Sequence, residues 1–476
     1  MSSWKFNMHP VSVPTVKTKY RKIVTKIPVP QTLKIFGELN KYEARSMHGQ
    51  MPVVWDKAEG FQVFDRWGNC WIDFTSTIFL ANTGHSNPRV IRAIQEQLNH
   101  KLIHSYTFAN EIRARFLKKL IEITPAYLEK AFLLSAGTEA TECAIKLMRM
   151  YGRRIKPTKL GIISFRGNMH GRTMGAEMLR GDPQHSAWIG YKDPNIYHLP
   201  FPYPWAVREP TESYDWARHF KEDIDAVCAE GMDLENVCGF MIESYQGWGA
   251  VLYPKEYIRA LADFAKEYDI LVTFDEIQGG FGRTGKLFAY QHYDVEPDLV
   301  CLGKALGGSL PLSAVMGRRE IMDLPEVGSM SSTHSANPLC CAAGLASIEE
   351  LESKNLVEQS RRKGEILHRQ LNKLRDKYPE FICYILGKGL LAAIIITNPN
   401  TREPDGLLAS QVCEQAMQKG LLLVHTGRES IKIGPPLTIP VDALLEGIHV
   451  LDECFEEVRQ KATITYEVGA TCGYRC

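Results

Sequence analysis

The stretch Val272–Pro311, VTFDEIQGGFGRTGKLFAYQHYDVEPDLVCLGKALGGSLP, contains two short apolar runs, each ending in charged residues. Ile270–Phe274 leads into Asp275 and Glu276, and Asp298–Leu302 leads into Gly303, Lys304 and the pair Gly307-Gly308. Runs of this length, bounded by turn residues, read as buried parallel strands. In open α/β sheets the residues just past the carboxyl ends of such strands line the ligand crevice. One carboxylate and one lysine are therefore expected to face a common cleft.

That pair has a definite chemical use. Pyridoxal 5'-phosphate needs a lysine to hold it as a Schiff base. It also needs an acid that keeps its pyridine nitrogen protonated, because a cationic ring is the better electron sink. Asp275 fits the acid and Lys304 the amine. A strand-end carboxylate beside an ordinary surface lysine would look the same, so the two residues alone leave both readings open.

The surrounding letters are more specific. Asp275–Gly285, DEIQGGFGRTG, followed by Gly303–Gly317, GKALGGSLPLSAVMG, closely resembles the class III, or ornithine and GABA type, aminotransferases of the fold-type I pyridoxal phosphate enzymes. The resemblance implies that Asp275 pairs with the ring nitrogen, Ile277 packs behind the ring, Gln278 contacts the phenolic oxygen and Lys304 carries the cofactor. It also implies an α/β fold whose large domain is built on a mostly parallel central sheet. A smaller α+β domain would be formed by the N- and C-terminal segments. The expected division is an arm and small-domain segment at 1–75, the cofactor domain at 76–335 and the C-terminal small domain at 336–476.

Four further motifs follow in the family's order. Phe132–Ala140 reads as a strand, a turn and the start of a helix running to about Tyr151, and such a turn presents free N–H groups and a helix dipole to an anion. A helix cap at Thr138 would look similar; the resemblance to the family's SGTEA loop assigns Ala136, Gly137 and Thr138 to phosphate. After a strand at Ile162–Phe165 comes Met169, before His170-Gly171-Arg172-Thr173, where the family places an aromatic residue on the ring. A thioether is soft enough to lie on a π face. The strand Val237–Glu243 leads into a segment resembling EPxQGExG, with Glu243 first and Trp248 replacing the second Glu. Ser331–Leu339 resembles STFGGNPL, whose Thr, here Thr333, reaches the neighbouring subunit's phosphate and implies a homodimer with shared active sites.

The substrate side departs from the family. Ser430–Leu437 resembles IRxxPPL, but Lys432 replaces the Arg that grips a substrate carboxylate, and an ammonium cannot form that planar fork. Trp248 and Lys432 are read as one correlated change, with Arg428 as a nearby substitute. Glu243, Trp248, Arg428 and Lys432 are thus the candidate substrate residues.

Elsewhere the reading is coarser. Helices are expected at Gln31–Tyr42, Pro88–Leu102, Lys255–Tyr268 and, long and amphipathic, from Pro338 to about Asn355. A hairpin is expected within Val53–Phe74 and a strand at Leu391–Thr397, while Pro194–Trp216 reads as an irregular surface loop. His85 reads as a structural loop residue. Residues 1–37 hold seven Lys or Arg and no acid; their Val/Pro alternation suits an extended arm better than an organelle presequence.

With 476 residues, 45% hydrophobic and 23% charged, and a net charge of +1, the chain reads as an ordinary globular protein. The balance argues against a nucleic-acid or membrane-surface role and for small-molecule partners, amines and keto acids. The 12 cysteines form no paired C-x-x-C metal pattern, and they read as reduced thiols in a cytoplasmic protein. No stretch reaches the length of a membrane span. The expected activity is amino-group transfer from an amine, such as an ω-amine or amino-sugar precursor without a conventional α-carboxylate, to a keto or aldehyde acceptor. A pyridoxal phosphate-dependent epimerase or aminomutase would use the same residues. A non-catalytic homologue would have no need of them.

Overall fold

The structure, a computed structural model, describes residues 4–206 and 213–461. The chain forms two compact units, one of residues 88–247 and 251–357, the other of 1–87, 248–250 and 358–476. The breaks fall after Asn87 and Val357, rather than after residues 75 and 335. The helix Pro338–Ser353 explains the second difference. It is buried on nearly all sides and shares a core with the helix Pro88–Asn99 through Val90, Ala343 and Ala346. A helix apolar all round is a core element, not the amphipathic connector expected.

The first unit is built on seven strands: β1 Lys130–Leu134, β2 Gly161–Phe165, β3 Ile196–Leu199, β4 Val237–Glu243, β5 Leu271–Asp275, β6 Leu299–Leu302 and β7 Ser313–Gly317. Their order is β1-β7-β6-β5-β4-β2-β3. β4, β5 and β6 pair parallel, as do β2 and its neighbours, and only β7 runs against its neighbours. Every residue of β2, β4, β5, β6 and β7 is buried, as helices on both faces require. The helix Gly137–Ile155 supplies Ala140, Ala144, Leu147 and Met148 to a core with Met241, Leu271, Leu299 and Val315. On the helices Trp216–Ala229 and Lys255–Glu267, Phe220, Tyr257 and Phe264 form edge-on ring contacts.

β3 corrects the expectation of an irregular loop at Pro194–Trp216. Ile196–Leu199 pairs parallel with β2 at the sheet edge, where the prolines on either side remove no central ladder bond. Residues 207–212 of that segment lie outside the described residues.

In the second unit the N- and C-terminal segments share one sheet: Leu421 and Leu422 pair parallel with Ile72 and Asp73. Gln62–Phe64 and Cys70–Asp73 form the hairpin read from the sequence, and Trp71 buries its ring while donating its indole N–H to the Met417 carbonyl at 2.8 Å. The basic arm is part of this sheet through Val16–Lys17 and Lys22–Ile23. Two of its charges are paired: Lys19 with Asp442 at 2.7 Å and Arg21 with Glu446 at 2.7 Å. A second sheet, of antiparallel strands, runs Ile382–Leu386, Ala392–Ile396, Ser430–Ile433, Val424–His425. His85 is buried and sits 2.6 Å from the Asp73 carboxylate, a structural tie.

Nine described cysteines are free. Cys383 is disulfide-bonded, which departs from the expectation of reduced thiols throughout. The tail from Ile464 onward lies outside the described residues. Among the described residues no helix is long and apolar enough to cross a membrane.

Candidate active site

The parallel pairing of β4, β5 and β6 decides where the charged strand ends meet. Glu243 is the register partner of Asp275, and Asp275 that of Cys301, two residues before Gly303-Lys304. All three functional groups therefore emerge from the same edge of the sheet. They line a cavity of about 240 Å³, together with Gly137, Thr138, Met169, Ile277 and Gln278.

Asp275 is held from two sides. Its Oδ1 accepts the Ile277 N–H at 3.0 Å, and its Oδ2 lies 2.9 Å from His170 Nδ1. A carboxylate can only accept, so the His170 ring proton sits on Nδ1, and Nε2 is left 3.4 Å from the Ser164 hydroxyl. The imidazole is wholly buried. The neighbouring Glu276 has a different job. It accepts the Ala289 and Tyr290 N–H groups at 2.9 and 2.7 Å and the Ser244 hydroxyl, and burial pushes its carboxyl up to about 7. Glu276 is a buried staple behind the site.

Lys304 opens a short 3-10 turn with φ +45°. A non-glycine residue in this region stores strain, and here the strained residue is the amine that faces the cavity. Burial drives the ammonium below the ordinary lysine range; Asp275 and Glu243 partly oppose this. A lowered lysine is the nucleophile that a carbonyl cofactor needs.

At the anion end, Gly137 and Thr138 are the first residues of a 19-residue helix, so its positive pole lies at the cavity wall. The Thr138 hydroxyl is fixed 2.7 Å from that of Thr173. Close packing demands the glycines nearby: a Cβ on Gly137 would lie 3.0 Å from Ile277, and one on Gly171 2.1 Å from Thr138 Oγ1. Gly171 also has φ +147°. Gly171→Ala is expected to displace Thr138 and weaken pyridoxal phosphate binding by roughly tenfold or more, from about 1–3 kcal/mol of strain. Equilibrium titration of the apoprotein measures this; an unchanged dissociation constant would remove Thr138 from the phosphate site.

Several expected site residues fall elsewhere. Ala136 is exposed, and its N–H is already given to Glu139 Oε2 at 2.9 Å, which leaves no amide proton for a phosphate. Thr333, expected to serve the neighbouring subunit's phosphate rather than this chain's own, is exposed, with its carbonyl 2.7 Å from His104 Nε2. In the second unit Trp248 is paired with Arg428. The guanidinium carbon lies 3.9 Å from the Trp248 ring centroid and the same group meets Glu429 at 3.0 Å. A planar guanidinium stacks on an indole where an ammonium cannot. Lys432 is buried with its ammonium 4.5 Å from the Phe79 ring centroid. His170, Gly171, Ser244, Tyr245 and Gly279 also line the cavity and were not picked out as site residues from sequence. His170 stood in the quoted HGRT segment, but its partner Asp275 is 105 residues away.

The cavity meets the demands of pyridoxal phosphate. It offers an amine, a carboxylate backed by an imidazole, an amide side chain and a glycine-lined helix start.

Comparison with known proteins gives the same answer. The family model for class-III aminotransferases matches residues 43–455. The probable 4-aminobutyrate aminotransferase of Bacillus subtilis strain 168 is 36% identical over 83% of this chain and 91% of its own length. The alanine/serine racemase of Pyrococcus horikoshii is 31% identical over 95% and 96%. Among solved structures, a thermostable (S)-enantioselective ω-transaminase from Thermomicrobium roseum superposes with a TM-score of 0.81 at 27% identity, covering 89% of this chain and 98% of that one. The chain belongs to the class-III aminotransferase family and is a pyridoxal phosphate-dependent aminotransferase of fold-type I.

Proposed function

We propose that this enzyme moves an amino group from a primary amine lacking a conventional α-carboxylate to a small keto or aldehyde acceptor. Bound pyridoxal phosphate supplies an electron sink for the bond-breaking step. The protein's own residues do the rest. Lys304 fastens the cofactor and, once displaced by the substrate amine, carries the proton to and from the reacting carbon. Asp275, steadied by His170, keeps a positive charge on the ring nitrogen. Ile277 packs behind the ring, Met169 before it, and Gln278 orients the phenolic oxygen. Gly137 and Thr138 bind the phosphate, with Thr333 donated by the second subunit of a homodimer. The setting is cytoplasmic.

The observation that carries the substrate class is the stacking of Arg428 on Trp248. A guanidinium committed to an indole face and to Glu429 is a poor fork for a substrate carboxylate. An aromatic side chain at position 248 also suits a large or ring-shaped amine. A panel of amines, assayed against one keto-acid acceptor, tests this. ω-Amines and amino sugars are expected to turn over faster than ornithine-like α-amino acids, and the opposite order defeats the reading.

The racemase relative, matched over 95% of this chain, favours a second reading in which the same residues invert a carbon centre. An epimerase needs no acceptor, so product formed from a single amino acid without added keto acid would support it.

A further inference from the structure

Glu243 enters the sequence reading as a substrate residue, yet its contacts are with the protein. Oε2 accepts the Met169 N–H at 2.9 Å and the Gly247 N–H at 3.3 Å. Met169 and the turn ending at Gly247 lie on separate loops on opposite sides of β4 in the sequence, and this one carboxyl ties them together. The fit is close: a Cβ on Gly247 would lie 2.7 Å from Glu243 Oε1, with Gln278 next at 3.6 Å. The register places Glu243 directly beside Asp275. The group is 5% exposed, so it is not a solvated carboxylate that happens to be near.

We infer that Glu243 is a positioning residue: its carboxyl fastens the Met169 backbone to the Gly247 turn and sets the charge beside Lys304. This rests on Lys304 being the cofactor-bearing lysine. Met169 has no rigid ring of its own, and a thioether has three rotatable bonds, so the backbone under it must be fixed by something else. The anchor found is a buried acceptor with two N–H donors, the arrangement that locks a loop.

Charge enters through the burial of this carboxyl. Burial, opposed by His170 and reinforced by Asp275, pushes Glu243 up to about 7. The charged and titratable groups facing it are His170, Asp275, Lys304, Tyr245 and Tyr253. Below this value Asp275 has a neutral neighbour. Above it, two adjacent carboxylates hold a positive charge on Lys304 more strongly.

Glu243→Gln keeps the shape and one acceptor but cannot titrate; Glu243→Ala removes the tie. In the holoenzyme, the visible absorbance of the lysine-bound cofactor is expected to change with a midpoint near pH 7, and to be flat from pH 6 to 8 in E243Q. The pyridoxal phosphate dissociation constant is expected to stay within about threefold in E243Q and to rise about tenfold or more in E243A, as loss of charge-assisted hydrogen bonds predicts. Borohydride reduction and peptide mapping of both variants is the control. A label on Lys304 with an unchanged pH limb in E243Q overturns the role of Glu243. A label absent from Lys304 in the parent enzyme overturns the cofactor assignment instead.

Discussion

Lys304→Ala is expected to abolish the visible absorbance of the bound cofactor and to lower turnover by at least about 10⁴-fold, the upper end of what one general acid–base group supplies. The loss has two parts. Among the described residues the amine is the only lysine lining the cavity, so the covalent attachment goes with it, and so does the group that carries the proton. The fold should survive. Burial lowers the Lys304 ammonium, which means the folded protein bears a cost for that charge, and alanine removes the cost. A thermal melting temperature equal to or above that of the parent, combined with lost turnover, is the expected pair of results. Full activity with no attached cofactor would contradict the site.

Asp275→Asn is the second large effect. The amide keeps the size of the carboxylate but not its charge, and one of its two faces must present N–H₂ to either Ile277 N–H or His170 Nδ1, both of which now donate. Turnover is expected to fall about 10²–10³-fold, the magnitude of losing one preorganised electrostatic partner. The cofactor should remain attached to Lys304, since that amine is untouched. A loss of less than about threefold would mean that the ring nitrogen does not depend on Asp275. Steady-state kinetics at saturating cofactor separates this from weakened binding.

The strands were the most legible part of the fold. Val237–Glu243 has the bounds read from its apolar run, because a fully buried parallel strand leaves an unbroken signal. β3 was not legible: four residues, two of them Tyr and His, between prolines, look like a loop until a neighbouring strand pairs with them. The helix Pro338–Ser353 was mistaken in character because its buried faces depend on which helices surround it.

The site was legible to the extent that its residues sit at strand ends. Asp275 and Lys304 needed only the rule that parallel strands end at a common edge. What depended on side-chain direction was hidden. Ala136 looked free to bind phosphate until Glu139 was seen to take its N–H. Arg428 had no visible partner until Trp248 lay beneath it. Glu243 carried the family's position but not its purpose, since its donors are backbone N–H groups on two other loops. The positive φ of Lys304 has no sequence signature in a non-glycine residue.

The central claim is that Lys304 holds pyridoxal phosphate in the cavity shared with Asp275. The protein incubated with the cofactor, reduced with borohydride, digested and mapped by mass spectrometry tests it most directly. The expected product is one pyridoxyl group per chain, on the peptide carrying Lys304. A pyridoxyl group on another lysine, or on none, would contradict the claim.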